Sequence, residues 1–221
     1  MDRHSSTRRE RRRLEMTGDI IATAREHLRS GGMNAISLRA IAREIGVTPA
    51  ALYRYFADLN ALIYALRNDI LDELNTVIEA ARDQDAKEGS TARIRSMAKA
   101  FRGWALDYPA EFRFLLGLGL GPQDKAATAC EQTAEQILRI ADTFLAEFTR
   151  SPQQPLAKAK FLAAWVRLYG LVALESSGDL KWMLSEVETI FDITLTELAA
   201  AAGRLQPTAT IASLEPYPSA R

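Results

Sequence analysis

The sequence predicts an all-α fold in two parts, a three-helix unit containing a helix-turn-helix and a larger helical unit. Three observations carry this reading. Residues 37 to 56, SLRAIAREIGVTPAALYRYF, bring two short helical patterns together across a three-residue turn around Gly46. From Asp58 onward apolar residues recur at three- and four-residue intervals, the period of helices buried along one stripe. Charge is uneven: residues 1–56 carry eleven Lys or Arg against six Asp or Glu, a net +5, and residues 57–221 carry seventeen against twenty-two, a net −5. A basic front and an acidic rear are expected when only one end meets a polyanion.

The first thirteen residues hold Arg3, Arg8, Arg9, Arg11, Arg12 and Arg13 against Asp2 and Glu10. They read as a basic arm for phosphates or a minor groove, flexible until DNA orders it, or else as a solvated tail or frayed helix start. A helix over Leu14–Arg29 follows, carrying Ile20, Ile21, Ala24 and Leu28, and it ends at Gly31-Gly32-Met33. In the next helix Leu38, Ile41, Ala42 and Ile45 fall at i, i+3, i+4 and i+7, leaving Arg39, Arg43 and Glu44 on the wet side. Gly46 stands where a helix end needs a left-handed residue. Thr48 caps the following helix through its hydroxyl, and Pro49 takes its first position, where a missing N–H costs nothing.

Leu52 with Tyr55 or Phe56 gives that second helix one buried face, so Thr48, Ala50, Ala51, Tyr53 and Arg54 point outward. Small residues at the start of such a helix let it press into a major groove, with alanine methyls against thymine methyls. Thr48, Tyr53 and the helix N-terminus can meet phosphates. Arg54 suits either a guanine edge or a phosphate. The competing reading is an ordinary corner of a helical bundle, with Tyr53 and Tyr55 as packing residues.

The block from the first helix through LYRYF and its polar linker, roughly residues 10 to 75, resembles the TetR family of bacterial transcriptional regulators. The family's pattern falls on Val47, Thr48, Leu52, Tyr53, Tyr55 and Phe56. The resemblance implies a DNA-binding domain in which Ser37, Thr48, Tyr53 and Tyr55 contact the DNA backbone, while Ala50, Ala51 and Arg54 lie nearest the bases. Arg39 and Pro49 complete the candidate DNA-binding set. One position departs: the family's usual phosphate-binding Lys is Leu59 here, although Asp58 remains to cap the next helix.

Composition narrows the alternatives. No stretch approaches the 18 apolar residues of a membrane span, and no apolar segment follows Arg8-Arg9 as a twin-arginine signal requires. Cys130 is the one cysteine, which excludes an intramolecular disulfide and fits a cytoplasmic location. His4 and His27 have no partner at metal-ligand spacing. No nucleophile elbow, Walker loop or zinc-protease motif occurs, so neither metal nor cofactor nor enzymatic activity is expected. Gly117-Leu118-Gly119-Leu120-Gly121-Pro122 has the wrong spacing for a dinucleotide fingerprint and reads as a loop.

Beyond the front unit, a long helix over Asp58–Arg82 carries Leu62, Ile63, Leu66, Ile70, Leu74, Val77 and Ile78 and links the two parts. After a polar break, Ser90–Asp107 carries Ile94, Met97, Ala98, Phe101, Trp104 and Ala105, and Pro109 opens a short helix with Phe112, Phe114, Leu115 and Leu116. Helices are expected over Asp124–Arg150, Leu156–Ser176 and Leu180–Ala202, and a mobile tail over Gln206–Arg221. The domain plan is therefore an arm at 1–13, a helix-turn-helix domain at 14–57, an effector-binding and dimerisation domain at 58–205 and a tail at 206–221.

The last two helices are apolar on more than one side, so they need a second burial site, and a two-fold homodimer is the commonest way to supply it. The family resemblance implies the same pairing. Runs around Trp104–Arg113 and Trp165–Leu171 resemble an effector-domain subgroup of the family, with Tyr169 in place of that subgroup's His. Phe101, Trp104, Tyr108, Phe112, Leu115, Phe144, Trp165 and Tyr169 are the candidate effector pocket, with plain core packing as the alternative. The expected function is a homodimeric regulator of transcription on a palindromic double-stranded DNA operator, most simply a repressor released by a small apolar or aromatic effector. An activator of the same fold, or a helical small-molecule-binding protein without sequence-specific DNA binding, is the competing class.

Overall fold

The computed structural model describes residues 3–116, 140, 142–147, 155–180 and 184–203. Regular structure among them is entirely helical: α1 (Arg3–Gly31), α2 (Leu38–Glu44), α3 (Pro49–Leu52), α4 (Leu59–Gln84), α5 (Ser90–Asp107), α6 (Pro109–Leu116), α7 (142–147), α8 (Pro155–Ser177) and α9 (Leu184–Gly203), with one 3-10 turn at Met33–Ala35. The glycine-rich run at 117–122, Cys130, most of the expected helix over 124–150 and the expected tail lie outside the described residues.

Local chemistry sets the short elements. Ser37 Oγ accepts from the Ala40 N–H at 3.1 Å and opens α2, while Thr48 Oγ1 accepts from the Ala51 N–H at 3.3 Å and opens α3. Between them Gly46 takes φ +75°, and the Val47 N–H donates back to the Ala42 carbonyl at 2.9 Å, so the chain turns without an unpaired end. Asp58 Oδ1 accepts from the Ala61 N–H at 2.8 Å and starts α4, the role expected of it. The α8–α9 connection differs from expectation. A turn at 178–180 with Gly178 at φ +81° closes α8 and includes the expected helix start Leu180, and α9 is described from Leu184, residues 181–183 lying outside the described residues.

The first helix also differs. It starts at Arg3, eleven residues before the expected Leu14, and takes in the segment read as a flexible arm. The physical reason is compositional: residues 3–13 contain no Gly or Pro and are dominated by Arg, a good helix former, so nothing stops the helix from growing beyond its packed end. Arg8, Arg9, Arg11, Arg12 and Arg13 are exposed along it.

Packing joins the two expected domains through one core. Ile20, Ala24 and Leu28 of α1, Ile41 and Ala42 of α2 and Leu52 of α3 are buried together, and the same cluster continues through Leu62, Leu66 and Ile70 of α4 into α5, α6, α8 and α9. Burying each Leu or Ile contributes about 1.5–3 kcal/mol. α4 packs chiefly on α5, and α5 and α8 pack on α9.

A polar cluster reinforces the seam where α1 meets the larger unit. Arg25 Nη1 donates to Glu73 Oε2 at 2.5 Å, and the Trp104 Nε1–H donates to Glu73 Oε1 at 2.9 Å. Arg25 Nε and Arg29 Nε both donate to Glu111 Oε1, at 3.3 and 2.5 Å. Glu111 is only 1% exposed. The Tyr108 ring lies against both guanidinium groups, at 5.9 Å from Arg25 and 5.4 Å from Arg29. A second bridge, Arg102 with Glu175 and Glu188, ties α5 to α8 and α9.

Two consequences are measurable. Gly46→Ala places a Cβ at a left-handed position and should lower unfolding stability by about 1 kcal/mol, whereas Gly103→Ala, on the exposed face of α5 with open space around it, should raise it by about 0.5–1 kcal/mol. Urea unfolding of the two variants checks both signs.

Acid titration checks the polar seam. The hydrogen bond from Arg25, helped by that from Trp104 and opposed by burial, holds the Glu73 carboxyl below its ordinary value near 4.5. A depressed carboxyl stabilises the fold fully above that ordinary value, and its contribution is lost as pH falls through the lower folded value. Glu73→Gln should therefore be less stable than the parent above pH 4.5, with the gap closing below it. Asp69 has the opposite sign, because burial raises its pKa. A gap of constant size from pH 7 to 3 would show that Glu73 acts through packing alone.

Candidate nucleic-acid interface

The turn that joins α2 to α3 presents a ridge of side chains. Leu52 and Phe56 are buried and hold the ridge to the core, while Thr48, Pro49, Ala50, Tyr53 and Arg54 are exposed and Ala51 is half-buried. Tyr53 is 56% exposed, a large aromatic surface open to solvent. Arg39 projects from α2 on the exposed side, and Ser37 is half-buried at its cap. The Ser37 and Thr48 hydroxyl oxygens are occupied by their capping bonds, and each O–H remains able to donate to an acceptor. Tyr55 is half-buried and packs against the core.

The helix-turn-helix is held from behind by α1. His27 Nε2 lies 2.7 Å from Glu44 Oε2, tying α1 to the end of α2. Because α1 continues to Arg3, its arginines stand beside the end of α3. Arg8, Arg9, Arg12 and Arg13 line an open groove of 540 Å³ together with Arg54 and Tyr55. Among the described residues, no carboxylate lines this groove. Positions 8, 9, 12 and 13 are spaced so that one face of α1 supplies all four. Such a surface concentrates positive potential beside the exposed ridge and suits a phosphate backbone.

Sequence reasoning found the ridge but did not join it to the arginines. The signal was available, since a run without helix breakers that leads straight into an amphipathic helix extends that helix and fixes which arginines share a face. It also missed Arg25, Arg29, Glu73 and Glu111. Their trace is the pairing of Arg25 with Arg29 and of Asp69 with Glu73, each at i, i+4, on helices already expected to meet.

The eight candidate effector residues fall into two groups. Phe101, Phe112, Phe144, Trp165 and Tyr169 form one aromatic cluster: Phe101 lies 5.6 Å from Phe112 and 5.4 Å from Trp165, Phe144 lies 5.3 Å from Trp165, and Tyr169 lies 6.1 Å from Phe112. Phe161, which the expectation omitted from the pocket, stacks on Trp165 at 6.2 Å. Leu115 is buried in the same core. Trp104 and Tyr108 pair with one another at 5.5 Å and face the polar seam, Trp104 through its bond to Glu73. Burial raises the pKa of Tyr169 above its ordinary value, and its neutral hydroxyl can donate a hydrogen bond.

Among the described residues no cluster of His, Cys, Asp and Glu suits a metal ion, and no helix is long and apolar enough to cross a membrane.

Comparison with known proteins agrees with this geometry. Residues 20–66 match the family described as bacterial regulatory proteins, tetR family, and residues 94–198 match the tetracyclin repressor-like C-terminal domain. The HTH-type transcriptional regulator Rv1816 of Mycobacterium tuberculosis is 32% identical over 105 residues, which cover 48% of this chain and 45% of that protein. The match thus spans a little under half the length of that relative. Among solved structures, a protein from Rhodococcus sp. RHA1 superposes with a TM-score of 0.69 at 24% identity, covering 83% of this chain and 93% of that one, a likeness of fold. A TetR variant from Acinetobacter baumannii AYE, solved in complex with minocycline, superposes with a TM-score of 0.56 at 26% identity, covering 86% of this chain and 98% of that one. With its helix-turn-helix and its larger helical unit each matched in this way, the chain belongs to the TetR family of bacterial transcriptional regulators.

Proposed function

We propose that the chain is a ligand-responsive, DNA-binding regulator that acts as a homodimer on a palindromic operator and represses transcription until a small apolar or aromatic effector binds. The observation that carries the reading is the exposed ridge Thr48–Arg54 standing beside the carboxylate-free arginine groove. Ala50 and Ala51 suit close approach to base edges, Tyr53, Thr48, Ser37 and Arg39 suit the backbone, and the groove suits flanking phosphates.

Dimerisation is supported by apolar surface that the described chain leaves uncovered. Leu162, Val166 and Leu174 on α8 are 46%, 66% and 47% exposed, and Ile193 on α9 is 55% exposed. Leu162, Val166, Gly170 and Leu174 recur every four residues and so form one stripe, with the bare Gly170 as a notch for a closely approaching helix. A second copy presenting the same stripe would bury it. The dimer also sets the reach of the two recognition ridges, which must match about 34–36 Å, or a multiple of it, for simultaneous docking.

The aromatic cluster around Trp165 is the proposed effector site, with Tyr169 as its hydrogen-bond donor. A neighbouring fold that holds minocycline in the homologous family supports an aromatic ligand class. An effector that parts these rings would shift α5 and α6, which pack on α4, the helix that follows the helix-turn-helix. A coupling of ~1–3 kcal/mol suffices for a useful switch.

The first test is selection of bound sequences from a random duplex pool by the full chain, with an enriched palindrome as the expected outcome. On that palindrome Val166→Glu should yield a monomer by sedimentation and lose operator affinity far more than affinity for random DNA. A dimer that survives the substitution would move the interface elsewhere. Arg54→Ala separates two roles: equal losses on operator and random DNA make Arg54 a phosphate contact of the groove, and relaxed preference at one base pair makes it a base reader. Removing residues 2–12 should lower affinity and flatten its dependence on salt, since each neutralised phosphate contributes roughly −0.9 to the slope. An unchanged slope would take the α1 arginines out of the interface.

A further inference from the structure

We infer that Glu111 is a positioning residue for DNA recognition: its buried carboxylate clamps α1 to α6, and through the adjacent Phe112 it makes the aromatic core and the DNA-binding unit one lever. The inference rests on the DNA-binding reading above and adds to it a named mechanical link that does not run through α4.

Three observations place the link. Glu111 is 1% exposed, and its Oε1 accepts from two arginines of α1, Arg25 and Arg29, so among the described residues the carboxylate of the larger unit is paired with side chains of the helix that backs the helix-turn-helix. A buried carboxylate cannot release such partners without leaving an uncompensated charge. α1 is therefore bound to follow α6.

The next residue faces the other way. Phe112, also 2% exposed, packs edge-on to Phe101 and against Tyr169 in the aromatic cluster. Successive residues on a helix point about 100° apart, so α6 offers one side chain to the aromatic core and its neighbour to α1. Any ligand that moves Phe112 rotates or shifts Glu111 with it.

Arg25 Nη2 is buried with no acceptor. Arg25 already divides its other nitrogens between Glu111 and Glu73 of α4, with Asp69 3.7 Å away. The seam therefore holds one buried donor whose bond is unmade beside three carboxylates of α4 and α6. Tyr108 forms the floor of both arginines.

The experiment uses the full chain, its selected palindrome, the same palindrome with one base pair inserted at its centre, and random duplex. Glu111→Gln keeps the shape and removes the charge. The expected result is a roughly 5- to 150-fold loss on the palindrome, a smaller penalty for the inserted base pair than the parent shows, and unchanged affinity for random duplex. Hydrogen exchange in the DNA-free protein should quicken along residues 20–31. Arg29→Met should reproduce these changes, and combining it with Glu111→Gln should add little further loss, as expected of two residues acting through one contact. Arg29→Met alone carries the same expectations if Glu111→Gln does not fold.

Parent-like affinity and parent-like spacing discrimination in a folded Glu111→Gln protein, even one of lower stability, would overturn the inference and leave Glu111 a residue of the core. Failure of the parent chain to enrich any palindrome is a separate outcome that removes the DNA-binding reading, and it is seen before any variant is made.

Discussion

A carboxylate shut away from water must keep its cations, and this requirement at Glu111 fixes how the two halves of the chain meet. Both cations come from α1, at positions 25 and 29, so that one face of a single helix serves the larger unit. The other face, through Ile20, Ala24 and Leu28, serves the helix-turn-helix. α1 is thus not an N-terminal appendage of a small domain but the shared wall between two units. The continuous core has the same origin: apolar residues of α4 fill the space between helices whose relative placement the ion cluster has already restricted.

α4 complements this wall. At 26 residues and a rise of 1.5 Å each it is roughly 39 Å long, enough to begin under the recognition ridge and end beside α5. Its Glu73 receives Arg25 from α1 and Trp104 from α5, so three helices converge on one carboxylate. The ridge is consequently held at two points along the seam, by Glu73 and by Glu111. Small residues and caps shape the ridge itself, buried Leu52 and Phe56 fix it to the core, and the polar contacts brace α1 and α4 behind it.

What could be read from the sequence follows from the range of the interactions. Gly46, Thr48, Pro49 and Asp58 act on neighbours within four residues, and each takes the local role that its type and place foretell, while the cap that Ser37 supplies to α2 was not foreseen. The apolar stripes of α4 and α5 were legible for the same reason. Arg25 and Glu111 stand 86 residues apart, and no local rule pairs them. Trp104 shows how a stripe misleads: it shares spacing with Phe101, yet lies about 60° around the helix from it, far enough to turn its ring nitrogen to Glu73 and leave the aromatic cluster. The start of α1 stood open between a flexible arm and a frayed helix start, and the absence of any helix breaker in residues 3–13 accounts for the helix.

The helical arginine segment carries an energetic argument of its own. Arg8 with Arg12 and Arg9 with Arg13 are like charges one turn apart, each pair opposing the helix by about 0.2–0.5 kcal/mol, and Arg54 adds a further cation to the groove they form. Intrinsic propensity and continuity with the packed part of α1 offset that repulsion in the free protein. A polyanion in the groove would reverse its sign, because each guanidinium would then face phosphate in place of another guanidinium. If DNA occupies the groove as proposed, helix stability at the N-terminus and DNA affinity are linked by the same charges, and binding stabilises the segment with the logarithm of ligand concentration over Kd. The same rigid segment is an extension of the helix that Glu111 holds, so the groove, the ridge and the clamp are placed by one continuous element.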